Sequence, residues 1–131
     1  MSTAGILVDT HALLWAATAP FRLSSKAAER MRDLNVILFV SAATAWEIAT
    51  KVRVGRLPQA KELEADFLQL VEEAGYRLLT IDAALALRAA RLPGKHRDPF
   101  DRIIAAHAIA EDIPVISADP KLDGFGVRRI W

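Results

Sequence analysis

The sequence predicts a single α/β domain with a mainly parallel central sheet. Short apolar runs rich in branched residues alternate with longer stretches of helical spacing, and turn-forming residues separate the two kinds of segment. The chain has 131 residues, which is the length of one domain. We therefore expect residues 1–131 to form one unit, with right-handed crossovers that place helices against the sheet.

Five segments are predicted to be strands because each is short, apolar and bounded by polar or turn-forming residues. They are residues 5–8, 36–40, 76–79, 113–117 and, as a final candidate, 127–131. In parallel sheets, ligands bind at the carboxyl ends of the strands. Polar residues directly after these runs are therefore candidates for a functional site.

The segments between the strands are predicted to be helices. Ser24-Ser25 and Asp98-Pro99 are typical helix starts, and residues 60–74 carry apolar side chains at helical spacing before Gly75. The expected helices cover residues 11–17, a stretch from Ser24-Ser25 onward, and residues 41–54, 60–74, 82–92 and 99–110.

The composition excludes several classes of protein. Hydrophobic residues make up 53% and charged residues 25%, which is typical of a folded soluble domain. Without cysteine, any metal must be held by oxygen or imidazole ligands. No apolar stretch reaches the ~20 residues of a membrane span, and the first residues do not resemble a signal peptide, so we expect a cytoplasmic protein. The net charge of +1 gives no general attraction to nucleic acid.

Four acidic residues form the candidate catalytic set. Asp9 and Asp119 come just past predicted strands, at the edge where α/β proteins build their sites. Glu47 lies in the helix that leaves the second strand, and Asp101 is the third residue of the helix that begins at Pro99. We predict that these four side chains converge.

Four carboxylates at one edge would repel and raise each other's pKa unless a cation neutralised them. Mg²⁺ or Mn²⁺ suits a site made only of oxygen ligands. Such a site polarises a phosphoryl oxygen and generates hydroxide for in-line attack. The pattern therefore predicts phosphodiester hydrolysis.

Each acid also has a purely structural interpretation. Asp9 is a candidate helix cap, Glu47 a solvated helix residue and Asp119 part of an Asp-Pro turn. Asp98 is better placed as a helix cap than as a ligand, although it is the alternative to Asp101 as the third acid. Asp101 itself would complement the helix dipole. Taken singly, the structural interpretation is favoured for Asp9, Glu47 and Asp119 but not for Asp101, and the joint pattern of the four acids favours a metal site.

The acids lie in four segments with characteristic neighbours. These are Leu7-Val8-Asp9-Thr10-His11-Ala12-Leu13-Leu14-Trp15, Ser41 with Thr44-Ala45-Trp46-Glu47-Ile48, Asp98-Pro99-Phe100-Asp101-Arg102-Ile103-Ile104-Ala105-Ala106-His107-Ala108, and Ser117-Ala118-Asp119. In this order and spacing they resemble a PIN-domain ribonuclease of the VapC toxin type. The likeness spans nearly the whole chain.

The resemblance implies a three-layer α/β/α sandwich and a magnesium-dependent endoribonuclease that acts on structured RNA such as tRNA or rRNA. It also implies a toxin that is neutralised by a VapB-like antitoxin, and a homodimer. The four acids of the family fall on Asp9, Glu47, Asp101 and Asp119.

The resemblance further suggests roles for these residues. Asp9 and Asp101 would be the principal metal ligands, with Glu47 and Asp119 binding metal or orienting water. Supporting hydroxyls that hydrogen-bond the carboxylates are expected from Thr10, Thr44 and Ser117. The chain departs from the family pattern in its extra Asp98 and in Ser117, where many relatives have threonine.

Several other side chains are candidates for a role in binding. The candidates for a phosphate-binding rim are Arg22, Lys26, Lys51, Arg53, Arg56, Lys95, Arg97 and Arg102. His11, His96 and His107 have no ligand spacing and are assigned no chemistry, and His107 is expected to be packed and hydrogen-bonded. Trp15, Trp46 and Trp131 are expected to pack in the core or an interface rather than stack on bases. An apolar strip on residues 12–39 would suit a dimer or an antitoxin helix.

Two rival functions share parts of this pattern. A receiver-like phosphoacceptor domain also gathers acids around Mg²⁺, but it needs a phosphorylatable Asp after a central strand and a Lys after a late one. The second strand here ends at Ser41, and the late strand leads to Asp119. A non-catalytic PIN-like RNA-binding module should lack one or more acids, and this chain keeps all four.

Overall fold

A computed structural model describes residues 4–131 and contains a five-stranded sheet. Its strands are β1 (Ala4–Val8), β2 (Val36–Ser41), β3 (Arg77–Leu79), β4 (Val115–Ile116) and β5 (Arg129–Ile130). All neighbouring strands are parallel, in the order β3-β2-β1-β4-β5. The predicted parallel sheet is confirmed, including the final strand. Residues 1–3 of the predicted domain lie outside the described part.

Seven α-helices within residues 4–131 connect or flank the strands. They are α1 (Thr10–Thr18), α2 (Ser25–Arg32), α3 (Ala42–Arg53), α4 (Lys61–Ala65), α5 (Phe67–Glu73), α6 (Ala83–Arg91) and α7 (Pro99–Glu111). Short 3₁₀ turns cover Pro20–Arg22, Pro58–Ala60 and Pro120–Phe125. Among the helices of the described chain, none is long and apolar enough to cross a membrane.

The helix starts predicted from capping chemistry are confirmed. Ser24 accepts a hydrogen bond from the N–H of Ala27, and Asp98 accepts one from the N–H of Phe100. The prediction of one continuous helix over residues 60–74 is wrong. The helix breaks at Asp66, whose backbone leaves the helical region (φ −110°, ψ 24°). Aspartate is a weak helix former because its side chain competes for nearby backbone groups.

The sheet is covered on both faces, which confirms the three-layer sandwich. Successive strand residues point to opposite faces. Ile6 and Val8 of β1 pack in one cluster with residues of α1 to α5. Leu7 belongs to the other cluster, which contains Ile104 of α7 and Phe125.

The strand order places a crevice beside β1. The chain runs from β1 to β2 and β3 on one side of the sheet, whereas β4 and β5 lie on the other side. Strands β1 and β4 pair with Val8 opposite Ile116, so their carboxyl ends are level. Ligand sites in open parallel sheets form at such a switch point. Asp9 follows β1 and Ser117 follows β4, and both therefore lie at this crevice.

Candidate active site

Asp9 is held at the start of α1 by its own helix. Its Oδ1 accepts a hydrogen bond of 2.8 Å from the N–H of Ala12, and the residue is 7% exposed. Burial raises the pKa of Asp9 from 3.8 to about 6, against hydrogen bonds from Ser117 and Ala12 that lower it. The capping role and a place in the crevice are therefore compatible, because the cap uses one of two oxygens.

Ser117 connects Asp9 with Asp119. Its hydroxyl interacts with the Asp9 carboxyl, and its Oγ also accepts a hydrogen bond of 3.0 Å from the Asp119 N–H. The Asp119 carboxylate accepts a bond of 2.9 Å from the N–H of Lys121, so it caps the following 3₁₀ turn. The predicted Asp-Pro turn is thus present, and Asp119 lies two residues after Ser117, which links its backbone to Asp9.

Glu47 projects from α3 into the interior and is 3% exposed, so a solvated position is excluded. Lys51, one turn later, donates a hydrogen bond to its Oε2. The other oxygen, Oε1, is buried and has no hydrogen-bond partner among residues 4–131. A buried acceptor without a partner is costly, and more so when it carries charge. A cation at Oε1 would remove that cost.

Asp101 lies in the first turn of α7 and is partly buried. Burial raises the pKa of Asp101, the hydrogen bond with His96 lowers it, and the charges of Asp98 and Glu47 raise it further. The charge of Asp101 also raises the pKa of Asp9. The charge of Asp101 thus acts on Asp9 and the charge of Glu47 acts on Asp101, and the convergence of all four acids stays a prediction.

Asp98 has the geometry of a helix cap. Its Oδ1 accepts hydrogen bonds from the N–H of Phe100 at 2.9 Å and of Asp101 at 3.3 Å. The charge that raises the pKa of Asp9 is that of Asp101. This geometry favours Asp101 as the third acid, which stays a prediction.

His96 is a site residue that the sequence analysis did not assign. Its Nε2 lies 2.7 Å from Oδ2 of Asp101. The loop that carries His96 is held by Arg102, whose guanidinium donates to four carbonyls: those of Ala89, Leu92, Gly94 and His96. Four of the five N–H donors of Arg102 are thus already used, which leaves one for the predicted phosphate rim, and that role stays a prediction. Lys51 is likewise engaged by Glu47.

Two of the supporting hydroxyls act differently from the prediction. The Oγ1 atoms of Thr10 and Thr44 are buried and lie 3.0 Å apart, so they bond each other rather than a carboxylate. Thr10 follows Asp9, and Thr44 is three residues before Glu47. The pair thus joins the start of α1 to α3 and fixes the spacing of the helices that carry these two acids.

His107 joins three elements behind the site, as its predicted packed role requires. Its Nε2 lies 3.0 Å from the carbonyl oxygen of Thr80, and its Nδ1 lies 3.0 Å from Oγ of Ser41. A carbonyl only accepts, so Nε2 carries the proton and the Ser41 hydroxyl donates to Nδ1. Burial lowers the pKa of His107, which favours this neutral form.

The donor set suits a hard divalent cation. It consists of carboxylates, one of them with a buried oxygen that lacks a partner. As the side chains are placed within residues 4–131, no three His, Asp or Glu form a group that could hold a metal ion. Lys51 and His96 each occupy an oxygen of an acid. A cation that binds Oε2 of Glu47 or Oδ2 of Asp101 would therefore have to displace Lys51 or His96, whereas Oε1 of Glu47 has no partner among residues 4–131.

A model of the PIN domain matches residues 6–127. The chain belongs to the PIN domain family. This membership displaces the receiver-domain interpretation. No curated protein matches the chain.

Solved structures share the PIN fold over nearly the full chain. VapBC2 from Rickettsia felis, bound to a promoter DNA fragment, aligns with a TM-score of 0.69 at 15% identity over 95% of this chain and 96% of that one. FitAB bound to the IR36 DNA fragment gives 0.61 at 21% identity, covering 95% and 92%. FitAcB from Neisseria gonorrhoeae gives 0.56 at 23% identity, covering 95% of each chain. At these identities the likeness concerns the fold.

Proposed function

We propose that this PIN domain is a metal-dependent endoribonuclease whose site consists of Asp9, Glu47, Asp101 and Asp119. The observation that carries the proposal is the buried, unpartnered Oε1 of Glu47 beside two acids whose pKa values are raised. The cation is Mg²⁺ or Mn²⁺, in keeping with all-oxygen ligands. RNA as the substrate rests on the resemblance of the four acid-bearing segments to VapC-type ribonucleases.

Some of these residues bind the cation, and others position the residues that bind it. Asp9 and Asp101 hold the cation, and Glu47 and Asp119 complete the site or orient water. Ser117 links Asp9 to Asp119 through its hydroxyl group, and the Thr10–Thr44 hydrogen bond fixes α1 against α3. When bound, the cation polarises a phosphoryl oxygen and lowers the pKa of water.

The proposal is tested by incubating the purified protein and RNA with Mn²⁺ or with EDTA. Asp9→Asn, Glu47→Gln and Asp101→Asn should each lower the rate of cleavage more than about 100-fold, since even partners of ligands are worth 10–100-fold. Asp82→Asn is the matched control, because Asp82 caps α6 from an exposed position. Cleavage that persists in EDTA, or that Asp9→Asn leaves unchanged, would overturn the proposal.

The same assay separates Asp98 from Asp101. Asparagine caps helices about as well as aspartate, so Asp98→Asn keeps the start of α7 intact. If Asp101 is the ligand, Asp98→Asn should retain cleavage whereas Asp101→Asn loses it. The reverse result would transfer the ligand role to Asp98.

The biological part of the proposal is a toxin neutralised by a VapB-like antitoxin, with tRNA or rRNA as its target and a homodimer as its form. The fold likeness to VapBC2 and FitAB, each solved with a DNA fragment, supports the antitoxin partner. The RNA target rests on the resemblance of the acid-bearing segments. The predicted apolar strip over residues 12–39, in which Phe21 is 87% and Leu34 is 99% exposed, would suit an antitoxin helix or a second copy of the chain.

Expression of the wild-type chain should arrest bacterial growth, and Asp9→Asn should not. Co-expression of a short adjacent reading frame encoding a DNA-binding protein should restore growth. Light scattering of the purified chain reports whether it is a dimer. Growth arrest by Asp9→Asn equal to that of wild type would disconnect toxicity from the acid site.

A further inference from the structure

An aromatic pair borders the acid site on its solvent side. Trp46 of α3 is 52% exposed, and its ring contacts Phe100 of α7 edge to face, with centroids 4.6 Å apart and planes at 74°. Trp46 directly precedes Glu47, and Phe100 directly precedes Asp101. The pair therefore bridges the two helices that carry these acids.

Trp46 does not anchor α3 to the sheet. Other residues of the helix do so: Ile48 and Glu47 are buried, and Ile48 lies in the same core cluster as residues of β2. Trp46 is predicted to pack in the core or an interface, and its exposure excludes the core but not an interface. Trp15 and Trp131 contact each other, with centroids 5.7 Å apart. A half-exposed indole beside a site for an anionic polymer needs a different explanation.

We propose that Trp46 and Phe100 form a stacking platform for a nucleobase of single-stranded RNA next to the phosphate held at the acids. This inference rests on the proposed function. Because Phe100 meets the indole edge to face, the pair is rigid and keeps indole surface open to solvent. Bases of any sequence stack on such a surface, each with an effect of about 5- to 150-fold on binding.

The charges around the pair favour RNA over an apolar partner. Ala49 and Thr50 occupy the next turn on the side of α3 that carries Trp46, and Arg53 lies about 10 Å further along the axis. Ahead of the other helix, α7, Arg97 lies three residues before Phe100. Both arginines are exposed and form no ion pair with side chains of residues 4–131. Aromatic rings flanked by exposed cations are the combination that binds single strands.

A second copy of this chain is the competing occupant. A stable dimer buries roughly 800 Å² per partner, mainly over apolar and aromatic side chains. The surroundings of Trp46 on α3 are instead small residues and an arginine. This composition favours the nucleobase, and the experiment below includes the dimer as an outcome.

The test measures binding of a fluorescently labelled ten-nucleotide single-stranded RNA of mixed sequence by anisotropy, with Ca²⁺ in place of Mn²⁺ and with a gel of the same samples to show that the RNA stays intact. Trp46→Ala should raise the Kd about 5- to 150-fold, and Trp46→Phe should recover most of the affinity. Leu87→Ala is the matched control, because Leu87 is 51% exposed on α6 and should leave binding unchanged. Trp46→Leu replaces the alanine variant if that variant does not fold.

A set of RNAs with one abasic position each locates the stacked base. At one position the abasic RNA should bind wild type weakly and show no further loss with Trp46→Ala. Equal binding by wild type and the non-aromatic variant would overturn the platform. A variant that turns a dimer into a monomer with unchanged RNA affinity would assign Trp46 to a subunit interface instead. Loss of binding without cleavage by any form would uphold the platform and refute the nuclease.

Discussion

Asp9→Asn should stabilise the metal-free protein at neutral pH, although it abolishes the proposed activity. The fold raises the pKa of Asp9 from 3.8 to about 6, mainly by burial. Each tenfold change in the ionisation constant is worth about 1.4 kcal/mol, so ionised Asp9 costs the folded state about 3 kcal/mol. Asparagine removes the charge but keeps the oxygen that accepts from Ala12.

The sign of the pH dependence follows from the direction of this shift. Between pH 3.8 and about 6 the folded state binds more protons at Asp9 than the unfolded state, so stability falls as pH rises through this window. The unfolding free energy of wild type should therefore be about 3 kcal/mol lower above pH 6 than below pH 3.8 because of Asp9. Asp9→Asn has no carboxyl group at this position, so it should not show this loss. It should melt about 10 °C higher than wild type at pH 7.5.

The assay is thermal and urea unfolding in EDTA at pH 4 and pH 7.5. The difference between Asp9→Asn and wild type should be large at pH 7.5 and nearly vanish at pH 4. Mn²⁺ at 1,000 times its Kd should reverse the order, since it adds about 4.1 kcal/mol to wild type only. Asp82→Asn, at an exposed cap, should change little at either pH. Equal stability of Asp9→Asn and wild type in EDTA at pH 7.5 would refute the reasoning.

Two further substitutions test the residues that hold the site in place. His107→Ala should cost about 3–5 kcal/mol of unfolding free energy, because it leaves a cavity and strips partners from Ser41 and Thr80, whereas His107→Gln should cost less. Urea titration measures both, and equal losses would contradict the hydrogen-bond assignment. Arg102→Lys should lower cleavage and cost about 1–3 kcal/mol, since an ammonium cannot span four carbonyls. Retained hydrogen-exchange protection in the loop of residues 92–97 would show that Arg102 does not hold it.

Features that depend on local chemistry were predictable from the sequence. Ser24 and Asp98 cap helices through their own side chains, and the apolar run before Asp9 forms β1 in the expected place. These outcomes depend on neighbours a few residues away, and such neighbours are visible in the sequence. The position of Asp9 at the crevice then follows from parallel strands alone.

Features that depend on distant contacts were not predictable in the same way. The hydroxyls of Thr10 and Thr44 are 34 residues apart, and their pairing requires α1 and α3 to be packed first. His96 reaches Asp101 only because Arg102 gathers the intervening loop. The exposure of Trp46 likewise depends on what covers α3 in the folded chain. Sequence spacing carries no information about these arrangements.

Two of the acids in the metal-free site already have side-chain partners, and this bears on how tightly the site binds metal. Lys51 bonds Glu47 and His96 bonds Asp101, so one oxygen of each of these acids is engaged. A cation that takes Oε2 of Glu47 or Oδ2 of Asp101 must displace Lys51 or His96, and its net affinity is then lower by the free energy of the contacts that it breaks. Two features favour metal binding. Oε1 of Glu47 has no partner among residues 4–131 that the cation would have to displace. Asp9 is buried, so its ionised form lowers the stability of the folded state until a cation binds. Binding should therefore be driven chiefly by relief at Glu47 and Asp9, and Lys51→Met should tighten Mn²⁺ binding where Glu47→Gln weakens it.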